Sequence, residues 1–128
     1  MRTLIAIMLI VIFPQTISAK EPMPPKPKPQ IKIEPKAYAR QQLVSRGHAR
    51  IQFECLNTLW TYESNWNPKS KNKHSTARGI AQMLNEKSSD PFKQIDHGIK
   101  YIEARYSTPC IALKFWKHKQ KITGVGWY

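Results

Sequence analysis

The chain has 128 residues, and 21 lysines and arginines against 8 aspartates and glutamates give it a formal net charge of +13. That length points to one domain, and two cysteines with four scattered histidines lack the ligand spacing of a zinc site. The positive excess suits an anionic partner or surface, but it is spread along the chain without a long basic block, so a generally solvated basic surface stays open beside that reading.

Residues 1–19 read as a signal peptide. Arg2 supplies the positive start, Leu4 to Phe13 form an apolar run, Pro14 breaks it, and small residues lead up to Ala19. The run is short of the roughly 20 residues that a helix needs to cross a bilayer. An uncleaved N-terminal anchor is the alternative. No cysteine follows the run, which argues against a lipoprotein. Export sets the reading of Cys55 and Cys110: outside the cytoplasm an even count favours a disulfide over free thiols.

Residues 20–36 are a linker rich in proline and lysine, EPMPPKPKPQIKIEPK after Lys20. Proline at that density favours extended polyproline II, giving a semi-rigid basic spacer. A ligand for a proline-binding domain is the weaker alternative. The folded domain is then expected over residues 37–128.

Within it the periodicity is helical, with no convincing strand alternation. Residues 37 to 46 predict a short helix stopped by Gly47, and residues 49 to 63 predict the next. On the second, Leu56, Leu59 and Trp60 share a face. At about 100° per residue Glu63 falls on that face too, while Glu54 points to the opposite side. Pro68 ends any continuation. Residues 69 to 84 are polar and then apolar, with Gly79 as a turn or close-approach residue. Asp90 predicts an N-cap, with Pro91 at the first helical position and Gln94 completing a capping pair. Ile95, Ile99, Ile102 and Tyr106 follow at helical spacing. Thr108 and Pro109 open a last helix that carries Ile111, Ala112, Phe115 and Trp116 and closes at Gly124 and Gly126. Trp60, Trp116 and the isoleucines read as core. Trp66 and Trp127 are open to stacking on a sugar.

Glu63 sits in LWTYESNW, among aromatic residues. One reading is a frayed helix end and an inert surface carboxylate. The other is a general acid: desolvation disfavours the carboxylate, raises its pKa, and leaves a protonated group able to donate to a leaving oxygen.

Four blocks in order carry a resemblance. QFECLNTLWTYESNWNP, ARGIAQML, QIDHGIKYIEARYSTPC and the closing GWY are similar to the lytic transglycosylase family with a lysozyme-like fold, closest to the short secreted branch that includes aggregation-promoting factors. The likeness covers residues 52 to 128. It implies a mainly α fold, a small lysozyme-like helical domain with little or no sheet. It implies Glu63 as catalytic acid and then base, with Ser64 orienting the carboxylate or the substrate. Gly79 and Gln82 would line the glycan cleft, Gln82 bonding the sugar, and Tyr101 and Tyr106 would pack behind or beside it. Cys55 and Cys110 stand where the branch commonly carries a pair. No metal or organic cofactor is implied. The expected partners are peptidoglycan glycan strands and the anionic cell-wall surface, not nucleic acid, for a monomer.

The sequence departs from the pattern at Asn65 and Ser107, each in place of a usual glycine, and at Arg78, in place of a common aromatic. The tyrosine that supports the acid in larger relatives has no assigned equivalent, and Tyr101, Tyr106 and Tyr128 are the candidates. The implied reaction uses one carboxylate and closes a 1,6-anhydro ring. A lysozyme-type hydrolysis pairing Glu63 with Glu86 stays open, as do a non-catalytic wall-binding module and a basic protein acting on nucleic acid or membranes.

Overall fold

In the computed structural model, residues 10–19, 22–26 and 31–128 are described. Residues 10–19 and 22–26, parts of the expected leader and linker, hold no helix or strand. The rest of those two expectations, residues 1–9, 20–21 and 27–30, lies outside the described residues. No described helix is long and apolar enough to cross a membrane.

Residues Ile31–Tyr128 form a separate compact unit. It is mainly helical: α1 (Pro35–Ser45), α2 (Ile51–Ser64), a hairpin of β1 (Ala77–Arg78) and β2 (Met83–Leu84), then α3 (Pro91–Tyr106) and α4 (Pro109–Thr123). Helix α1 starts two residues before the expected Ala37. Pro35 fits the first helical position, where its missing N–H is no loss, and Glu34 precedes it in extended conformation. Ala39 and Leu43 are its buried side. Polar bonds hold it to α3: the Tyr38 hydroxyl donates to Asp96 at 3.0 Å, and Arg46 and His48 share Glu103 at 2.8 and 2.9 Å.

Helix α2 buries Phe53, Leu56, Leu59 and Trp60, and Glu54 lies outside, as the 100° count requires. It ends because Asn65 and Trp66 both take positive φ, 52° and 59°. The Asn65 N–H reaches the Thr61 carbonyl and the Trp66 N–H the Trp60 carbonyl, which satisfies the last turn. That reversal folds Trp66 inward, 9% exposed, its ring edge-on to Trp60 at 5.2 Å. Trp66 is therefore a core residue and not the free sugar platform that the sequence left open.

Asp90 caps α3 as expected, accepting the Phe92 N–H at 2.9 Å. The expected reciprocal bond from Gln94 does not form: the Asp90 N–H goes to Ser88 Oγ, and the Gln94 side chain is turned inward, 1% exposed. Ile95, Ile99, Ile102 and Tyr106 are buried along one side of α3. Gly98 lets α3 approach α2, since a Cβ there would stand 2.6 Å from the Trp60 ring. Between α3 and α4, Ser107 adopts φ 67° and ψ −44°, and the Thr108 N–H bonds back to the Tyr106 carbonyl at 2.8 Å. This is a γ-turn, the tightest elbow a chain makes, and a strained one.

Thr108 and Pro109 open α4, and Gly124 closes it in left-handed conformation. A disulfide between Cys55 and Cys110 ties α2 to α4 at a Cα separation of 4.9 Å. Such a bridge stabilises a small domain by about 2–4 kcal/mol.

Candidate active site

The end of α2 and the middle of α4 build the site. Glu63 is half-buried on the inner side of α2's last turn, and the Trp116 indole N–H donates to its Oε1 at 2.6 Å. Burial is the main influence on Glu63. It lifts the carboxyl from the usual 4.5 to about 7, and the Trp116 hydrogen bond pulls the other way without offsetting it. An indole nitrogen donates and never accepts. Oε1 therefore presents a lone pair to it, and because the carbonyl oxygen of a carboxylic acid is the better acceptor, the acid's proton is favoured on Oε2. At about 7 the carboxyl is shared between its acid and its anion near neutral pH, and the indole on Oε1 favours Oε2 as the oxygen that carries the hydrogen.

Trp116 is held from two further sides. Tyr62 stacks on its ring, 4.6 Å between centroids and 23° between planes. Gly126 passes so close that a Cβ there would stand 2.0 Å from the indole. Only glycine allows the chain after α4 to cross Trp116 in this way. Beyond it, Trp127 sits edge-on to Phe115 at 5.5 Å, with the Lys119 ammonium 4.7 Å above its ring. Tyr128 turns inward. Its hydroxyl accepts from the Trp60 indole at 2.8 Å and donates to the Ala81 carbonyl at 2.9 Å. Burial holds the Tyr128 phenol well above its ordinary value, and the Glu63 charge adds to that. Of the three tyrosines proposed to support the acid, Tyr128 thus lies within its field, although its hydroxyl is spent elsewhere. Tyr101 packs edge-on to Tyr128 at 5.8 Å and Tyr106 lies tilted against it at 6.1 Å, and the Tyr101 hydroxyl donates to the Tyr128 carbonyl at 3.4 Å.

The hairpin forms the other border. Ser64 donates to the Ile80 carbonyl at 2.6 Å, so it clamps the end of α2 to the hairpin tip instead of bonding the carboxylate beside it. Gly79 is required twice: its φ is 82°, and its missing side chain leaves room for Gln94, whose Cδ would be 2.6 Å from a Cβ. Gln94 accepts the Ile80 N–H at 2.9 Å and donates to the Pro68 and Ser88 carbonyls at 3.0 and 2.8 Å. One buried amide thus fixes three loops. Gln82 donates to the Gly79 carbonyl at 2.9 Å, which leaves its side-chain oxygen as the group available to a ligand.

Glu86 lies apart from this arrangement in its bonding. It is 7% exposed, its Oε1 accepts the Ser88 N–H at 2.9 Å, and its Oε2 pairs with His97 Nδ1 at 2.8 Å. Burial raises its pKa, but the Ser88 N–H and His97 outweigh that and leave it below the usual value. Among the described residues no three histidines, cysteines or acids gather as metal ligands would.

Trp116 and Gln94 are the residues that the sequence misplaces. Trp116 falls at core spacing on its helix, and Gln94 at capping spacing. A register count from the disulfide would have raised Trp116: Glu63 lies about 12 Å beyond Cys55, and Trp116 about 9 Å beyond Cys110, at 1.5 Å per helical residue. No comparable signal marks Gln94. No protein-family profile, curated protein or solved structure matches the chain.

Proposed function

We propose that the chain is a peptidoglycan-cleaving lytic transglycosylase, acting on the β-1,4 bond between N-acetylmuramic acid and N-acetylglucosamine. The single observation that carries the proposal is Glu63, a sheltered carboxyl with its pKa near 7 and one oxygen tied to an indole. Glu63 Oε2 gives its proton to the bridging oxygen as the glycosidic bond breaks. The substrate's own acetamido group stabilises the cationic carbon. The ionised Glu63 then takes a proton from the sugar's 6-hydroxyl as that oxygen closes the 1,6-anhydro ring. The acid is regenerated and no water is consumed.

A hydrolase of the lysozyme type needs a second free carboxylate. The commitment of both Glu86 oxygens to Ser88 and His97 supports the one-carboxylate course. The disulfide is compatible with export, and the leader-like first residues support a periplasmic or wall-associated site of action. The charge of +13 would draw the protein to the anionic wall by a long-range, salt-sensitive attraction.

Digestion of purified peptidoglycan, followed by mass spectrometry, tests the reading. The expected products are anhydro-muropeptides, one water lighter than hydrolysed ones. Hydrolysed products would favour the lysozyme-type course. Binding with no product would favour a non-catalytic wall module.

A further inference from the structure

The open end of the hairpin carries a cavity of about 540 Å³, lined by Lys71, Asn72, Ser75, Thr76, Arg78 and Lys87 among others. Lys71 and Arg78 are partners in an antiparallel bridge. Residues directly opposite in such a bridge share a face with Cβ atoms about 5 Å apart, where like charges destabilise the pairing. Lys87 adds a third cation to the same lining. None of the three makes an ion pair among the described residues, whose ion pairs join Glu103 to Arg46 and His48, and Glu86 to His97.

The neutral groups around them are biased in the same sense. Ser75 Oγ accepts the Ala77 N–H at 3.1 Å, Thr76 Oγ1 accepts the Asn85 N–H at 3.3 Å, and Asn72 Oδ1 accepts the His74 N–H at 2.7 Å. Each of these oxygens has one accepting position taken by the backbone, while the two hydroxyl protons and the Asn72 amide NH2 make no hydrogen bond among the described residues. Glu86 is the one acid on the lining, and both its oxygens are engaged by Ser88 and His97. The cavity therefore presents donors and positive charge. Its complement is a compact, multiply charged group with acceptors only.

We propose that this cavity binds a phosphate group, either free or as a diester within a polymer. Arg78 meets two phosphate oxygens with its planar fork, and Lys71 and Lys87 neutralise the remaining charge. Bound phosphate relieves the repulsion across the Lys71–Arg78 bridge. The hairpin links the cavity to the end of α2, its tip accepting from Ser64 and Tyr128. The phosphate site stands whether or not Glu63 is catalytic.

The test is a nitrogen-edited NMR titration of the oxidised chain at constant ionic strength. One arm uses inorganic phosphate, the other a short glycerol-phosphate diester oligomer, and chloride is the control. The expected result is saturable shifts at residues 71 to 78 and 85 to 87 in at least one arm, which also identifies the source. Arg78→Gln should weaken that binding about tenfold, the size of one charge-assisted contact. Lys114→Gln on α4 should leave it unchanged, and so should Glu63→Gln, which separates this site from the catalytic reading. Shifts that never saturate, or equal losses in Arg78→Gln and Lys114→Gln, would overturn the proposal in favour of diffuse charge attraction.

Discussion

Glu63 and Glu86 are both carboxylates withdrawn from water, one at the end of α2 and the other in the loop before α3, yet their acidities move in opposite directions. Glu63 has one indole donor against a largely apolar wall, and desolvation wins. Glu86 has a backbone N–H on one oxygen and an imidazole on the other, and its partners win. Whether a carboxyl is kept as an acid or held as an anion is set by the balance between its desolvation and what its donors return. The first environment suits proton transfer, and the second suits fastening a loop.

The largest effect expected from breaking this contrast is on turnover. Glu63→Gln keeps the shape and the Trp116 hydrogen bond but has no transferable proton. Release of soluble muropeptides from purified wall should fall to background while circular dichroism is unchanged. Activity equal to the parent would remove Glu63 from the mechanism. The same variant tests the acidity. Between pH 4.5 and about 7 the folded protein holds a proton on Glu63 that the unfolded chain has released, so stability falls as pH rises through that window. Glu63→Gln should lose that slope and gain up to about 3 kcal/mol at pH 8 in chemical denaturation.

Next in size is Gln94→Leu, which sharpens the comparison because Gln94 ties both regions together through Ile80 and Ser88. It strands one buried N–H and two carbonyls, and a loss of about 3 kcal/mol or more is expected from thermal unfolding. Glu86→Gln should cost about 1–3 kcal/mol, since the Ser88 N–H and His97 lose a charged acceptor. Its pH dependence should mirror that of Glu63: stability supplied by Glu86 is lost as pH falls below 4.5 towards its lowered pKa. Wall cleavage should survive this change, and its loss would return Glu86 to the mechanism. The smallest effect belongs to Trp116→Phe. The ring and its stacking on Tyr62 persist, but Glu63 loses the donor that lowers its pKa. The alkaline limb of the pH–activity profile should move to higher pH, with a rate loss of at most about tenfold.

Much of this arrangement was legible beforehand. The 100° count separated Glu63 from Glu54, and the Asp90 and Thr108 caps placed the starts of α3 and α4 correctly. What escaped was set by tertiary contacts. Two successive left-handed residues turned Trp66 inward, a backbone reversal that no side-chain pattern encodes, although Asn65 tolerates the conformation better than most. Gln94 satisfied a local capping pattern and a distant three-loop contact equally well, and the distant contact prevailed. Trp116 showed ordinary helical spacing. Its partner lies 53 positions earlier, across a contact made by two packed helices.

The elbow at Ser107 has a practical use. An L-residue held at φ 67° and ψ −44° opposes its own Cβ, and glycine would sit there without that conflict. After allowing for glycine's greater freedom in the unfolded chain, Ser107→Gly should add about 1 kcal/mol of durability. This strained elbow is thus a place to start when a hardier protein is wanted for the bench.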